Sequence, residues 1–246
     1  MTTIVSAFID IGRRSRPIST YLKYGRLLLE LEIPKIIFLE QKTIEQYGIS
    51  YLNMLPQTTI IPYNQNDLIL NKLLHKNNVS NINLPNPPPS ETKPSLKYLS
   101  IILNKTEWVK QAIELNTYNT SQFIWIDFGI YHTFNNPELY KKFVLNCQQK
   151  QYDKVRIASI WKLNQYIPSE SQIKNNPLWF FAGGVFGGNK DKLLEFADKS
   201  KSKIEEITND NYIMWEVNLW YLVFKDNKDL FDCYPSNHNP TILSNY

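Results

Sequence analysis

Three acidic residues stand where apolar, strand-like segments of the sequence end: Asp10, Glu40 and Asp127. In an open parallel sheet the carboxyl ends of the strands share one edge, and ligands bind at that edge. A single acid at such a position more often caps a helix or faces solvent in a turn. Three of them together predict a ligand site at the carboxyl edge of a sheet.

Asp127 gives the sharpest prediction of the three. Its segment is apolar on both faces, so the carboxylate emerges from dry surroundings and needs a cation or hydrogen bonds. A divalent metal on a diphosphate would supply the cation, and backbone N–H groups in a turn are the structural alternative. The following Phe128 and Gly129 complete the kinase tripeptide Asp-Phe-Gly, but the chain has no His-Arg-Asp and no upstream Gly-rich loop, which excludes a kinase.

Four of the eight glycines fall within residues 183–188, directly after the bulky residues 179–181. We predict a strand over residues 178–188 that enters a tight glycine turn. Backbone without side chains there would let a sugar or phosphate lie against the chain at Gly183 and Gly184. Close packing of backbone without any ligand is the alternative, and the dinucleotide-binding spacing of glycines is absent.

Glu216 is the one acid among the aromatic and aliphatic residues of "IMWEVNLW". On a helix its carboxylate would lose most of its water, a setting that suits proton abstraction from an acceptor hydroxyl. The structural alternative is a buried Glu that is hydrogen-bonded to a neighbouring Trp or Asn.

The hydrophobic pattern predicts the scaffold that must position these residues. Strand, helix and strand within the first 40 residues form a βαβ unit, which indicates a parallel sheet. The fold class that follows is α/β, with a mostly parallel sheet and helices on both faces. Strands are predicted at 3–9, 35–40, 58–61, 122–127, 154–160, 178–188 and 230–234, and helices at 18–31, 67–75, 95–116, 137–147, 190–207 and 211–224.

Length and composition predict one globular domain over residues 1–246, with 43% hydrophobic residues. Residues 83–94 are Pro-rich and are predicted to form a surface loop rather than a linker. A net charge of +4 is too small for a dedicated nucleic-acid binder, even with the Arg-rich residues 13–16. With no apolar run of roughly 20 residues, no signal peptide and two cysteines, the sequence predicts a cytoplasmic protein without a transmembrane segment.

In chain order, five segments resemble the WlaTC/HtrL (YibB-like) family: "TIVSAFIDIGR", "YLKYGRLLLELEIPKIIFLE", "FIWIDFGI", "FFAGGVFGGN" and "MWEVNLWYL". The resemblance covers most of the chain and is weakest over residues 50–95. It implies a GT-A-like glycosyltransferase that moves a hexose from a UDP-sugar to a hydroxyl of a glycan or other acceptor. It also implies a divalent metal, Mn or Mg, and a place in polysaccharide or glycan assembly.

The resemblance also implies roles for particular residues. Asp127 and Glu216 are the catalytic candidates, and Asp127 with His238 of the C-terminal tail would hold the metal. Gly129 stands where the family pattern of two acids would place the second, so a metal rests on Asp127 and another ligand, or none is bound. His132 is the other candidate ligand. The nucleotide-sugar would contact Ala7, Phe8, Asp10, Arg13, Glu40, Asp127, Gly183 and Gly184.

The missing second acid motivates an alternative function. A catalytically inactive GT-A-like module could keep its affinity for the nucleotide and lack transfer activity. A third hypothesis, an RNA- or polyphosphate-binding protein, rests only on residues 13–16 and is the most distant, because no RNA-binding motif accompanies them.

Overall fold

The computed structural model describes residues 1–12, 17–46, 55–86, 95–163 and 165–246. In the described part of the chain, seven strands form one sheet in the order β3-β2-β1-β4-β6-β5-β7. Only β6 runs antiparallel to its neighbours, β4 and β5. The strands are β1 (Thr2–Phe8), β2 (Lys35–Glu40), β3 (Thr58–Tyr63), β4 (Gln122–Ile126), β5 (Val155–Ser159), β6 (Phe181–Asn189) and β7 (Phe231–Pro235).

Helices cover both faces of this sheet, each over its own hydrophobic core. Successive residues of a strand point to opposite faces, so Ile124 of β4 packs into one core and Trp125 into the other. The predicted α/β fold, with a mostly parallel sheet and helices on both faces, is confirmed. The helices are α1 (Ile18–Leu29), α2 (Gln41–Gln46), α3 (Ile69–Lys76), α4 (Leu96–Leu103), α5 (Lys105–Leu115), α6 (Pro137–Gln149), α7 (Glu170–Asn175), α8 (Lys190–Asn209), α9 (Glu216–Asp226) and α10 (Thr241–Ser244).

Residues 95–116 were predicted as one helix, and that prediction is wrong. They form α4 and α5, which meet at Asn104. The side-chain Oδ1 of Asn104 accepts a hydrogen bond from the backbone N–H of Ile69, the first residue of α3 (2.8 Å). Asn104 therefore binds the first N–H of α3 at the point between α4 and α5. The helix α5 begins at the next residue, Lys105.

The prediction of a tight turn at the glycine cluster is also wrong, because all four glycines lie inside β6. The last two are required by the close approach of neighbouring strands. A Cβ on Gly187 would lie 2.6 Å from the carbonyl oxygen of Phe123, and Gly188 has a φ of +137°. The first two, Gly183 and Gly184, lie at the other end of β6, beside the end of β4.

Smaller differences concern α9 and the loop at residues 83–94. The helix predicted over 211–224 begins only at Glu216. Asn83 pairs with Tyr212 in an isolated parallel bridge, and residues 87–94 lie outside the described residues. None of the described helices combines the length and the apolar character needed to cross a membrane.

Candidate functional site

A cavity of about 360 Å³ lies at the carboxyl edge of β1 and β4. Because β6 runs antiparallel to β4, its first residues reach the same edge, where the carbonyl of Gly184 accepts the N–H of Asp127 (2.9 Å). The first residues of two helices, Lys105 of α5 and Glu216 of α9, complete the polar wall. The site thus draws on three strands and two helix starts.

Lys105 is the centre of this polar wall. Its Nζ lies 2.9 Å from Oδ1 of Asp127 and 3.4 Å from Oε1 of Glu216. It also donates to the carbonyl oxygen of Gly183 (2.8 Å). The side chains of Lys105 and Glu216 are 7% and 8% exposed, while that of Asp127 is 38% exposed. Two carboxylates therefore share one buried ammonium, and one of them remains open to a ligand.

The charge state of Lys105 follows from these neighbours. Burial by itself lowers the pKa of the ammonium, but the charges of Asp127 and Glu216, with their hydrogen bonds, outweigh burial and raise it above its usual value. Lys105 is therefore a permanent cation at any physiological pH. Its place at the start of a helix is unfavourable, because the helix dipole is positive there, whereas Glu216 at the start of α9 is favourably placed.

Asp127 is fixed by a second group in addition to Lys105. The indole N–H of Trp125 donates to its Oδ1 (2.7 Å). The ring of Trp125 is itself held by Trp108, with ring centroids 5.7 Å apart and planes inclined by 4°. These contacts hold the carboxylate in one orientation before any ligand binds, which is the preorganisation that a catalytic or binding site needs.

Gly183 and Gly184 present bare backbone to the cavity. A Cβ on Gly183 would lie 2.5 Å from Oε1 of Glu216, so no side chain fits there unless that carboxylate moves. At Gly184 a Cβ would lie 3.1 Å from Cδ1 of Ile130 and 3.8 Å from Oδ2 of Asp127, which is a looser fit. The absence of a side chain at Gly183 is thus what lets Glu216 reach Lys105.

Two histidines also line the cavity. Burial lowers the pKa of His238, and its ring lies edge-on against Trp179 at 4.4 Å, so the imidazole is neutral near pH 7. Nδ1 of His132 donates to the carbonyl oxygen of Gly129 (2.8 Å). A neutral imidazole is the form that binds a metal ion.

The net negative charge of the lining residues suits a metal ion, but their ligand groups do so only partly. Asp10, Asp127 and Glu216 contribute three carboxylates, whereas Lys105 is the single cationic side chain in the described lining. Among the described residues there is no group of three or more His, Cys, Asp or Glu side chains that could hold a metal. Mg²⁺ is often held by one or two carboxylates together with substrate phosphates, and Asp127, the more exposed of the two carboxylates that contact Lys105, is a ligand of that type.

The model of one protein family, described as "Bacterial protein of unknown function (HtrL_YibB)", matches residues 1–238. The chain belongs to the HtrL_YibB family. The resemblance to the WlaTC/HtrL (YibB-like) family is thereby confirmed. No curated protein matches this HtrL_YibB chain in sequence.

Three solved structures are similar to the HtrL_YibB chain. Mouse xyloside xylosyltransferase 1 in its apo form is 11% identical, with 95% of this chain and 84% of that one covered and a TM-score of 0.43. 4-Diphosphocytidyl-2C-methyl-D-erythritol synthase from Anaerococcus prevotii DSM 20548 is 8% identical, with 97% of this chain and 88% of that one covered and a TM-score of 0.46. HddC from Yersinia pseudotuberculosis is 11% identical, with 100% of this chain and 92% of that one covered and a TM-score of 0.40. With TM-scores below 0.5, these likenesses carry no information about the reaction of this chain.

Most of the site residues predicted for the HtrL_YibB chain lie together in the structure. The cavity is lined by Ala7, Phe8, Asp10, Asp127, Gly183, Gly184, Glu216 and His238. Glu40 is not among the lining residues: its Oε1 accepts from Gln65 (2.6 Å) and pairs with Lys42 (3.0 Å). Arg13 lies outside the described residues.

Lys105 is absent from the residues that the sequence predicts for this site. A signal was present, because in the predicted helix 95–116 Lys105 follows Ile102 by three positions and precedes Val109 by four, which places it on the apolar stripe. A lysine on such a stripe needs a buried partner, and the partners are Asp127 and Glu216. Sequence distance concealed them, since Glu216 lies 111 residues away.

Proposed function

We propose that this chain is a nucleotide-sugar-dependent glycosyltransferase, a single GT-A-like domain over residues 1–246 that moves a hexose from a UDP-sugar to a hydroxyl of a glycan or other acceptor. The observation that supports this most is the pair of carboxylates, Asp127 and Glu216, held on one buried ammonium in the cavity. The cavity volume of about 360 Å³ suits a small-molecule site. Polysaccharide or glycan assembly is the process in which such a reaction belongs.

The donor would lie along the strand ends. Ala7, Phe8 and Asp10 would contact the nucleotide, and the bare backbone of Gly183 and Gly184 would receive the sugar, since all five residues line the cavity. Contacts of Glu40 and Arg13 with the nucleotide stay predictions.

The two carboxylates would take different parts in the transfer. Glu216 is nearly enclosed and would accept the proton of the acceptor hydroxyl. At the same time the hydroxyl oxygen would bond to the anomeric carbon of the donor sugar. The bond from that carbon to the phosphate oxygen breaks, and UDP leaves with the electron pair. Asp127 is the more exposed carboxylate and would face the diphosphate.

A divalent ion, Mn²⁺ or Mg²⁺, would be held by Asp127 and His238. The excess of carboxylates over cations in the described lining favours such an ion. When bound, it would neutralise charge on the departing diphosphate. The side chains of the protein would orient the donor and hold the acceptor proton at Glu216.

A thermal-shift and turnover experiment tests this function. UDP and a panel of UDP-sugars should raise the melting temperature, with a larger rise when Mn²⁺ is present, because ligands that bind the folded state stabilise it. UDP release from one of those sugars should then fall about a hundredfold or more in Asp127→Asn, while the exposed Asp153→Asn control keeps wild-type turnover. Stabilisation by UDP without release of UDP from any sugar would favour the inactive nucleotide-binding module, and no stabilisation by any nucleotide would reject both functions.

A further inference from the structure

Every proton of the Lys105 ammonium is already engaged inside the protein. An ammonium has three N–H donors, and Nζ has three partner groups, the carboxylates of Asp127 and Glu216 and the carbonyl of Gly183. A lysine that binds substrate phosphate needs at least one donor free to reach it. The geometry therefore indicates a lysine that serves other residues rather than a ligand.

The arrangement is costly to maintain. The buried ammonium of Lys105, at the positive end of a helix, has lost most of its hydration and also opposes the helix dipole. Replacing a buried ion pair by apolar residues of similar size is often neutral or stabilising, so stability alone does not account for this cluster. The cluster joins three elements through the Nζ atom of Lys105: the end of β4, the start of β6 and the start of α9.

We propose that Lys105 is a positioning residue of the transferase site, which fixes Glu216 for proton transfer and orients Asp127 beside it without touching the donor. This inference rests on the proposed function and adds to it a residue that acts through another. Gly183 belongs to the same unit, because its missing side chain leaves the space that the Glu216 carboxylate occupies.

A double-mutant cycle on turnover tests the inference. UDP release from the UDP-sugar that stabilises the wild type is measured for the wild type, Lys105→Met, Glu216→Gln and the double variant. Each single change should lower kcat about a hundredfold, the usual cost of a lost general base. The double variant should match Glu216→Gln, because the base that Lys105 fixes is already lost and the indole of Trp125 still holds Asp127, whereas independent effects would multiply to about ten-thousandfold.

The affinity for UDP separates this role from direct contact with the donor. Calorimetry should show a change in the UDP dissociation constant of Lys105→Met that is much smaller than the fall in kcat. Lys110→Met is the matched control, since Lys110 lies on the same helix and pairs with Asp198 at the surface (2.6 Å). It should keep the wild-type kcat.

Folding defects do not confuse the result. If Lys105→Met fails to fold, the double variant has one buried carboxylate fewer to compensate, and its comparison with Glu216→Gln decides alone. A double variant that is a further hundredfold slower than Glu216→Gln overturns the inference and leaves the transferase in place. A wild type that releases no UDP from any UDP-sugar overturns the proposed function and this inference with it.

Discussion

Lys35 and Lys105 are both buried and differ in what surrounds them. Lys35, at the start of β2, donates to the backbone carbonyls of Leu31 and Ile33. Burial lowers the pKa of Lys35 to about 8, and the charge of Glu32 only partly opposes that change. Lys105 has two carboxylates within 3.4 Å, and its pKa is raised.

The comparison shows that burial makes a charged group costly, while the groups that contact it decide whether it stays protonated. Carbonyl oxygens stabilise an ammonium less than ionised carboxylates do, so the cation at Lys35 is held weakly and the one at Lys105 strongly. The two lysines also lie at opposite edges of the sheet, Lys35 at the amino end of β2 and Lys105 beside the carboxyl end of β4. The edge with the compensated charge is the edge that forms the cavity.

The largest effect on stability should come from Lys105→Met. Removing the ammonium leaves Glu216 buried without its cation, and breaking a buried ion pair typically costs 3–5 kcal/mol. We expect a loss of about 3 kcal/mol in the free energy of unfolding, because Asp127 is partly exposed and can recover water. Urea denaturation at pH 7 measures it. Lys35→Met is the contrasting variant, and an equal loss there would show that carboxylate partners make no difference.

The next effect concerns the pH dependence that Lys35 should impose. Its folded pKa is lowered from 10.5 to about 8, so between these pH values the unfolded chain binds a proton that the folded chain does not. The stability contribution of Lys35 is therefore full above pH 10.5 and is lost as pH falls through 8.

Wild type should accordingly gain about 2 kcal/mol relative to Lys35→Met between pH 7 and pH 10. The difference between the two proteins cancels the titration of other groups, and its change from pH 7 to pH 10 also removes the constant cost of the lost hydrogen bonds to Leu31 and Ile33. A difference that stays constant from pH 7 to pH 10 would mean that Lys35 titrates near its ordinary pKa.

The strands and most of the site residues could be predicted because their signals are local. A short apolar run that ends in a charged residue marks a buried strand and its carboxyl end, and this placed Asp10 and Asp127 at the cavity. Glu216 could be recognised because its neighbours along the chain, apart from Asn218, are apolar or aromatic. These inferences need no knowledge of which elements meet.

The features that were missed depend on partners that are distant in sequence. The break at Asn104 depends on the N–H of Ile69, 35 residues away. The four glycines belong to a strand because β6 pairs antiparallel with both β4 and β5. That pairing involves distant segments of the chain and cannot be predicted from the local composition. The role of Lys105 depends on Glu216, to which no local pattern connects it.

A smaller effect should distinguish the two glycines that present backbone to the cavity. In Gly183→Ala the new methyl group would meet Oε1 of Glu216 at 2.5 Å and must push that carboxylate away from Lys105. A small displacement of a catalytic group lowers the rate of reaction, and we expect kcat to fall about tenfold. Gly184→Ala is the contrasting variant: its methyl group would meet the flexible end of Ile130 at 3.1 Å and leave Glu216 in place, so its loss should appear in the affinity for the UDP-sugar rather than in kcat. Equal kcat for the two variants would argue against the link between Gly183 and the proton acceptor.

The smallest effect should be that of Lys110→Met, which extends the comparison from buried lysines to one near the surface. Lys110 has a raised pKa because it donates a hydrogen bond to Asp198 and lies beside its charge, but that carboxylate is 62% exposed. Water and salt screen such a pair, and exposed ion pairs contribute only about 0.2–1 kcal/mol. We therefore expect a loss of about 0.5 kcal/mol in the free energy of unfolding at low ionic strength, decreasing when salt is added. Urea denaturation of Lys110→Met and Lys105→Met at two salt concentrations makes the contrast direct: the Lys105 effect should change less with salt, because the ammonium and the Glu216 carboxylate are shielded from the solvent. If both losses were equally sensitive to salt, the Lys105 cluster would be open to water and would not hold Glu216 in place.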